Sequence, residues 1–221
     1  MSELRSILKT TTKDLLVYLV LCAVTYLMIR IILEHVTLGP DVGFLKVKQE
    51  YVNNRFWRTA FYIHVFSAIM TLLAGFTQFS TYILNEHRKL HRFMGRIYVT
   101  AILYINFPTG MIMAVHANGG LPGKIAFIIL DLLWFWFTLK AFLEIRKGNI
   151  TQHKKYMIRS YALTFSAITL RVWKPVLSSL FIISPETLYI IQAWIGFVPN
   201  LFLAEWLIRR QKRNRSVNVR S

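Results

Sequence analysis

Six runs of about twenty predominantly apolar residues constrain this chain more than any other feature: Leu15–Leu33, Ala60–Leu84, Tyr98–Val115, Ile125–Leu143, Ser160–Ile182 and Thr187–Ile208. A helix of that length matches the hydrocarbon thickness of a bilayer, and water does not tolerate several such runs in one domain. The predicted fold is therefore all-α, a polytopic integral membrane protein built as a bundle of six transmembrane helices. A short N-terminal tail covers residues 1–14, the bundle 15–208, and a basic tail 209–221. Leu15–Leu33 is too long for the apolar core of a signal peptide and lacks a small-residue cleavage site, so it is expected to stay as the first span.

The charges set the expected orientation. The formal net charge is +17, which in a soluble chain would suggest nucleic acid. Here the cations cluster at the ends of the runs, so no nucleic-acid partner is expected. The N-terminal tail, the connections after spans two and four, and the C-terminal tail carry eighteen Lys and Arg, against five in the alternate connections. By the positive-inside rule both termini are cytoplasmic, in a cytoplasmic (inner) membrane. The partner of the chain is the bilayer itself, with the basic tails beside anionic lipids.

Ionisable groups within the runs are costly and mark the candidate site. Arg171 lies roughly 17 Å from either end of the fifth run, where a cation costs about 2.5–3.5 kcal/mol on insertion scales. Thr164, Ala167, Arg171, Lys174 and Ser178 recur at helical spacing as one polar face, and Pro175 leaves the carbonyl of Arg171 without its helical donor. Counted from Arg58 and Lys124, His64 and Asp131 lie about 9 and 10 Å below the outer surface, at a similar depth. His64, Asp131, Arg171 and Lys174 are thus expected to form one buried polar layer, binding a small ligand or serving as a structural ion pair. Tyr104, Asn106, Pro108 and Thr109 interrupt the third span, and Gln192, Pro199 and Asn200 the sixth, either around a cavity or as kinks satisfied by neighbouring helices.

Histidines supply a second expectation. His91 and His153 lie at similar depth on the cytoplasmic side, and His64 with His116 on the other, an arrangement suited to a b-type haem between helices. Arg92, Arg96 and Arg159 are then candidate anion contacts for its propionates. Glu86, His87 and His91 form a weaker metal-ligand set, without the HExxH order. The single cysteine, Cys22, permits no internal disulfide, and Asn118–Gly123 lacks the glycine and Ser/Thr of a phosphate loop. No nucleophile arrangement is recognisable, so the expectation leans away from an enzyme. Carrier or ligand-binding protein, haem electron-transfer protein and non-catalytic membrane subunit remain the alternatives.

Three stretches carry a resemblance: Phe61-Tyr62-Ile63-His64, His91-Arg92-Phe93-Met94-Gly95-Arg96-Ile97-Tyr98, and His153 through Thr164 to Thr169-Leu170-Arg171. Together, over about residues 57–174, they resemble the bacterial multi-pass membrane family catalogued as domain of unknown function 2306. Tyr156 stands where that pattern generally has tryptophan, and Ser166 where alanine is expected. The resemblance implies that His64, His91, Arg96, His153, Arg159 and Arg171 belong to the family's pattern, and it implies no reaction.

Overall fold

The computed structural model describes residues 48–218 together with Tyr26, Arg30, Leu33, Leu45 and Lys46. It is 88 % helical, with no strand among the described residues. The chain divides into two units, residues 1–54 and 55–221. In the first, the described residues include one helical turn, Gln49–Val52. The expected span Leu15–Leu33 lies outside the described residues apart from Tyr26, Arg30 and Leu33, each helical.

The second unit is a helical bundle. Helix α1 runs Arg55–Gln78, α2 Thr81–Glu86, α3 Arg88–Ala101, α4 Phe107–Val115, α5 Gly120–Arg146, α6 Ile150–Thr164, α7 Ser166–Leu180, α8 Pro185–Ile195 and α9 Val198–Asn218. A π-helical turn, Ile102–Asn106, joins α3 to α4 without a break in the helical path. Its cause is local. Pro108 has no N–H to offer the carbonyl four residues back, and the N–H of Phe107 reaches Ile102 instead. Between α5 and α6 the chain turns at Gly148, whose φ of 76° is a left-handed conformation that glycine adopts without strain. Asn149 then caps α6, its side chain accepting from the Gln152 N–H at 3.1 Å.

Four helical segments are long and apolar enough to cross a membrane among the described residues: Arg55–Gln78, Arg88–Val115, Gly120–Arg146 and Pro185–Arg213. They cover four of the six expected spans. The fifth, Ser160–Ile182, is not one continuous helix. It divides at Phe165 between α6 and α7, and the reason is a side chain from elsewhere in the chain. Asn200 donates through Nδ2 to the Ala162 carbonyl at 3.2 Å, and the Ser166 hydroxyl reaches the same oxygen at 3.5 Å. A polar group inserted into the i→i−4 ladder is a recognised cause of a helix break. The sixth expected span is interrupted at Gly196–Phe197, between α8 and α9.

The core is held by packing and by one polar network. Tyr98, Ile102, Ala126, Trp134, Ala141, Met157 and Leu163 lie in its apolar cluster. Within it the Tyr98 hydroxyl pairs with Ser160 Oγ at 2.8 Å and Thr164 Oγ1 at 2.7 Å. Trp134 Nε1 donates to Thr164 Oγ1 at 2.9 Å, and Thr138 Oγ1 pairs with Ser160 Oγ at 2.7 Å. The network ties α3, α5 and α6 together. In an apolar surround each pair avoids a costly orphan, which makes the network a specification of how these helices dock.

Candidate functional site

The polar groups of the bundle fall into three levels, separated by whether their hydrogen bonds are complete. The Tyr98 network is the first, with partners for every side chain just named. The second is the facing pair of breaks at Phe165 and Gly196. Thr169 Oγ1 donates to the Gly196 carbonyl at 2.5 Å, Asn200 Nδ2 reaches Thr169 Oγ1 at 3.1 Å, and Gln192 Nε2 donates to the Leu170 carbonyl at 2.6 Å. A Cβ on Gly196 would lie 2.3 Å from Leu170 Cδ2, so the two segments meet through the glycine. Gln192 and Asn200 are therefore kink-satisfying groups, the second of the two roles open for them.

The third level is incomplete. His64 on α1 places Nδ1 3.2 Å from the Asn106 carbonyl and 3.2 Å from Thr109 Oγ1. A carbonyl only accepts, so Nδ1 carries the proton and Nε2 keeps its lone pair. The Ser67 hydroxyl, one turn along from His64, lies 2.6 Å from the Asn106 side-chain amide and 2.6 Å from the Ile63 carbonyl. Asn106 is fully buried, Asp131 on α5 is 5 % exposed, and Thr109 is buried between them in sequence. Yet Asn106 Nδ2 and Asp131 Oδ2 have no hydrogen-bond partner. Leaving such groups unmet costs about 1–3 kcal/mol each, and more for a charged one.

Gly110 brings the carboxyl and the imidazole together. A Cβ there would lie 2.8 Å from Asp131 Oδ1 and 3.0 Å from His64 Cε1. Asn106 sits one turn before Gly110 on the same face, placed by the π-helical turn. Arg171 is close enough for its charge to act on His64, while its guanidinium donates through Nη1 to the Ala167 carbonyl. Arg171 and Lys174 are both exposed side chains, so the buried layer expected of the four residues does not hold for these two: α7 turns them to the surface, and only Arg171 stays near His64. No ion pair joins Asp131 to either of them among the described residues. The expected structural ion pair at Asp131 is thus replaced by an unpaired carboxyl.

The histidine pairs are placed differently. His153 Nδ1 lies 2.8 Å from the Ala141 carbonyl, which leaves its Nε2 as the lone-pair nitrogen. His91 lies near His153, and His91 Nδ1 is buried without a hydrogen-bond partner. His116 terminates α4, with Nδ1 2.8 Å from the Ile112 carbonyl. Arg92 and Arg96 are exposed. Arg159 is already engaged: Nε and Nη2 donate to Glu205 Oε1 and Oε2 at 2.5 and 3.0 Å, and the guanidinium lies over the rings of Tyr156 and Phe137. Glu205 raises the pKa of Arg159 further, chiefly through that hydrogen bond. Expected as an anion contact, Arg159 instead has an intramolecular carboxylate. Glu86, His87 and His91 do not converge, and no group of three His, Cys, Asp or Glu suited to a metal occurs among the described residues. His87 packs edge-on against Tyr82.

Sequence reasoning missed Ser67 and Gly110 in the incomplete level and the Arg159–Glu205 pair. The close approach on α1 is at Gly75, where a Cβ would lie 2.1 Å from Tyr161 Cε2.

Long apolar helices with polar groups turned inward define a helical, multi-pass membrane protein. The chain belongs to the family described as "predicted membrane protein", domain of unknown function 2306, whose profile matches residues 61–208. The match runs past Lys174, where the motif resemblance ended, and takes in α8 and the first half of α9. No curated protein and no solved structure matches the chain.

Proposed function

We propose that this is a six-span protein of the cytoplasmic membrane, with both termini inside, that binds or carries a small ligand at the level of His64, Asn106 and Asp131. One observation carries the reading: Asp131 Oδ2 is buried without a partner, against Gly110 and beside His64. A buried carboxyl is expensive unless something meets it, and intramembrane ionisable groups usually lie on substrate or proton paths. The neighbouring polar levels complete their bonds internally, which sets this one apart. Arg171 supplies a cation at the margin, suited to an anionic portion of the ligand, and His64 Nε2 offers a proton acceptor. The orientation rests on the distribution of Lys and Arg, and accessibility labelling that found the two tails on opposite faces would contradict it.

The test is native mass spectrometry of the full chain released from lipid nanodiscs. The wild type should retain a small molecule that Asp131→Asn and Arg171→Gln lose while remaining folded. Identical spectra from all three would refute the assignment, and variants that unfold without any ligand in the wild type would favour helix packing as the role of these groups.

A second reading has its own observation. His91 on α3 and His153 on α6 lie near each other, with Nε2 of His153 left as the lone-pair nitrogen and His91 Nδ1 unsatisfied. Two imidazoles from separate helices suit axial ligation of a b-type haem, which would supply one-electron chemistry there. Arg159, bound to Glu205, does not fit a propionate contact, whereas the exposed Arg92 and Arg96 do. An absorption spectrum decides it: a Soret band lost in His153→Ala supports haem, and a colourless full-length preparation excludes it.

A further inference from the structure

Three arginines near the ends of the long helices have partners within the chain: Arg146 lies over the Phe142 ring, Arg210 over Trp206, and Arg159 is held by Glu205. Arg88, Arg92 and Arg96 on α3 differ. All three are exposed, and they make no ion pair or ring contact among the described residues. The nearest carboxylate in sequence, Glu86, is exposed and does not pair with them. The arginines recur at steps of four, so they form one stripe along the helix. Their level follows from length. The membrane-crossing segment Arg88–Val115 has 28 residues and runs about 42 Å, against a hydrocarbon thickness of about 30 Å. Its uncharged part, residues 97–115, by itself spans about 29 Å. The remainder, about 12 Å over residues 88–96, therefore stands in the headgroup layer, and helical side chains lean toward the N-terminus, away from the hydrocarbon. Phe93, 60 % exposed, and Leu90, 42 % exposed, add apolar surface on the same turns.

We infer that the stripe of Arg88, Arg92 and Arg96 holds the phosphate of an anionic phospholipid. Neighbouring arginines on it are one turn apart, about 6 Å along the axis, so two guanidinium forks can close on one phosphate. A choline headgroup carries its own cation, which opposes three unpaired guanidinium groups, whereas a glycerol headgroup leaves the phosphate charge uncompensated. The site is separate from the ligand proposed at His64 and Asp131 and does not depend on it.

The test is native mass spectrometry of the full chain released from nanodiscs of equimolar phosphatidylglycerol and phosphatidylcholine with the same acyl chains. The wild type should retain phosphatidylglycerol in preference. Arg92→Gln and Arg96→Gln should each lower that preference by about fivefold, the share of one cation at an anionic headgroup, and the double variant should bring it near parity. Arg146→Gln, which removes a charge already stacked on Phe142, should leave the preference unchanged. Equal retention of the two lipids by the wild type overturns the inference. So does an effect of Arg146→Gln as large as that of Arg92→Gln, because the attraction then belongs to the net charge of the chain and not to the stripe. A Soret band that Arg92→Gln and Arg96→Gln both abolish would assign the arginines to haem propionates and overturn it as well. Should the glutamine variants fail to insert, a density map of the wild type in the same nanodiscs decides: a headgroup density between Arg92 and Arg96 supports the site, and bare arginines there overturn it.

Discussion

His64 and Asp131, sixty-seven residues apart and on different helices, close on the same point above Gly110: a Cβ there would lie 3.0 Å from His64 Cε1 and 2.8 Å from Asp131 Oδ1. The glycine keeps an imidazole and a carboxyl adjacent in the apolar part of the bundle. Gly110→Ala should therefore disturb the site more than the fold. The added methyl displaces two side-chain ends rather than backbone, and α4 gains helix propensity from alanine. The expected outcome is loss of any retained ligand with thermal unfolding within about 1 kcal/mol of wild type. A variant that retains ligand unchanged would show that the close approach has no bearing on binding.

Tyr98 offers a contrasting prediction, for a level whose bonds are complete. Tyr98→Phe keeps the ring packed and removes the hydroxyl shared by Ser160 and Thr164. The cost should be about 1–2 kcal/mol, measured by denaturation in detergent, with ligand retention unaffected. No measurable loss of stability would mean that the network does not help specify the docking of α3, α5 and α6.

Packing makes the sharpest steric prediction at Gly75. Tyr161 lies with its ring carbons at 2.1 and 2.5 Å from where a Cβ would be, and its hydroxyl donates to the Leu72 carbonyl at 3.3 Å. The ring cannot retreat without giving up that bond. Gly75→Ala should cost about 1–3 kcal/mol, and adding Tyr161→Leu should recover part of it. A fully stable Gly75→Ala would contradict this packing of α1 on α6.

The Arg159–Glu205 pair should contribute modestly. Its geometry is bidentate, but the side chains are 19 % and 38 % exposed, so solvent screens the interaction. A double-mutant cycle with Arg159→Gln and Glu205→Gln should give a coupling of about 0.5–1 kcal/mol, falling as salt is raised. Coupling that is insensitive to salt would indicate a dry pair and a larger structural role.

Much of the bundle was legible because lipid is an exacting solvent. Runs of apolar residues long enough to cross it, in positions matching α1, α3–α4, α5 and α8–α9, have few other uses. His64 and Asp131 were legible for the same reason, since their burial is costly and their depths could be counted from the span ends. The break at Phe165 was not. Thr164, Ser166 and Thr169 sit at spacings that continue a helix, and what interrupts it is Asn200, thirty-eight residues from the Ala162 carbonyl it takes. The single polar face drawn through Thr164 and Arg171 fails at that break: Thr164 joins the buried Tyr98 network, whereas Arg171 is exposed on α7. Asn106 was visible as an interruption of its span, but its place in the level depends on the π-helical turn that carries it. The pairing of Arg159 with Glu205 was not legible, because nothing local to either indicates a partner forty-six residues away.

The most direct measurement is a density map of the full-length protein in native lipid, at a resolution that shows bound small molecules. The account predicts a non-protein density meeting Asp131 Oδ2 on the level of His64 and Asn106. A dry interface there, with Asp131 paired to Arg171 or Lys174, would contradict it.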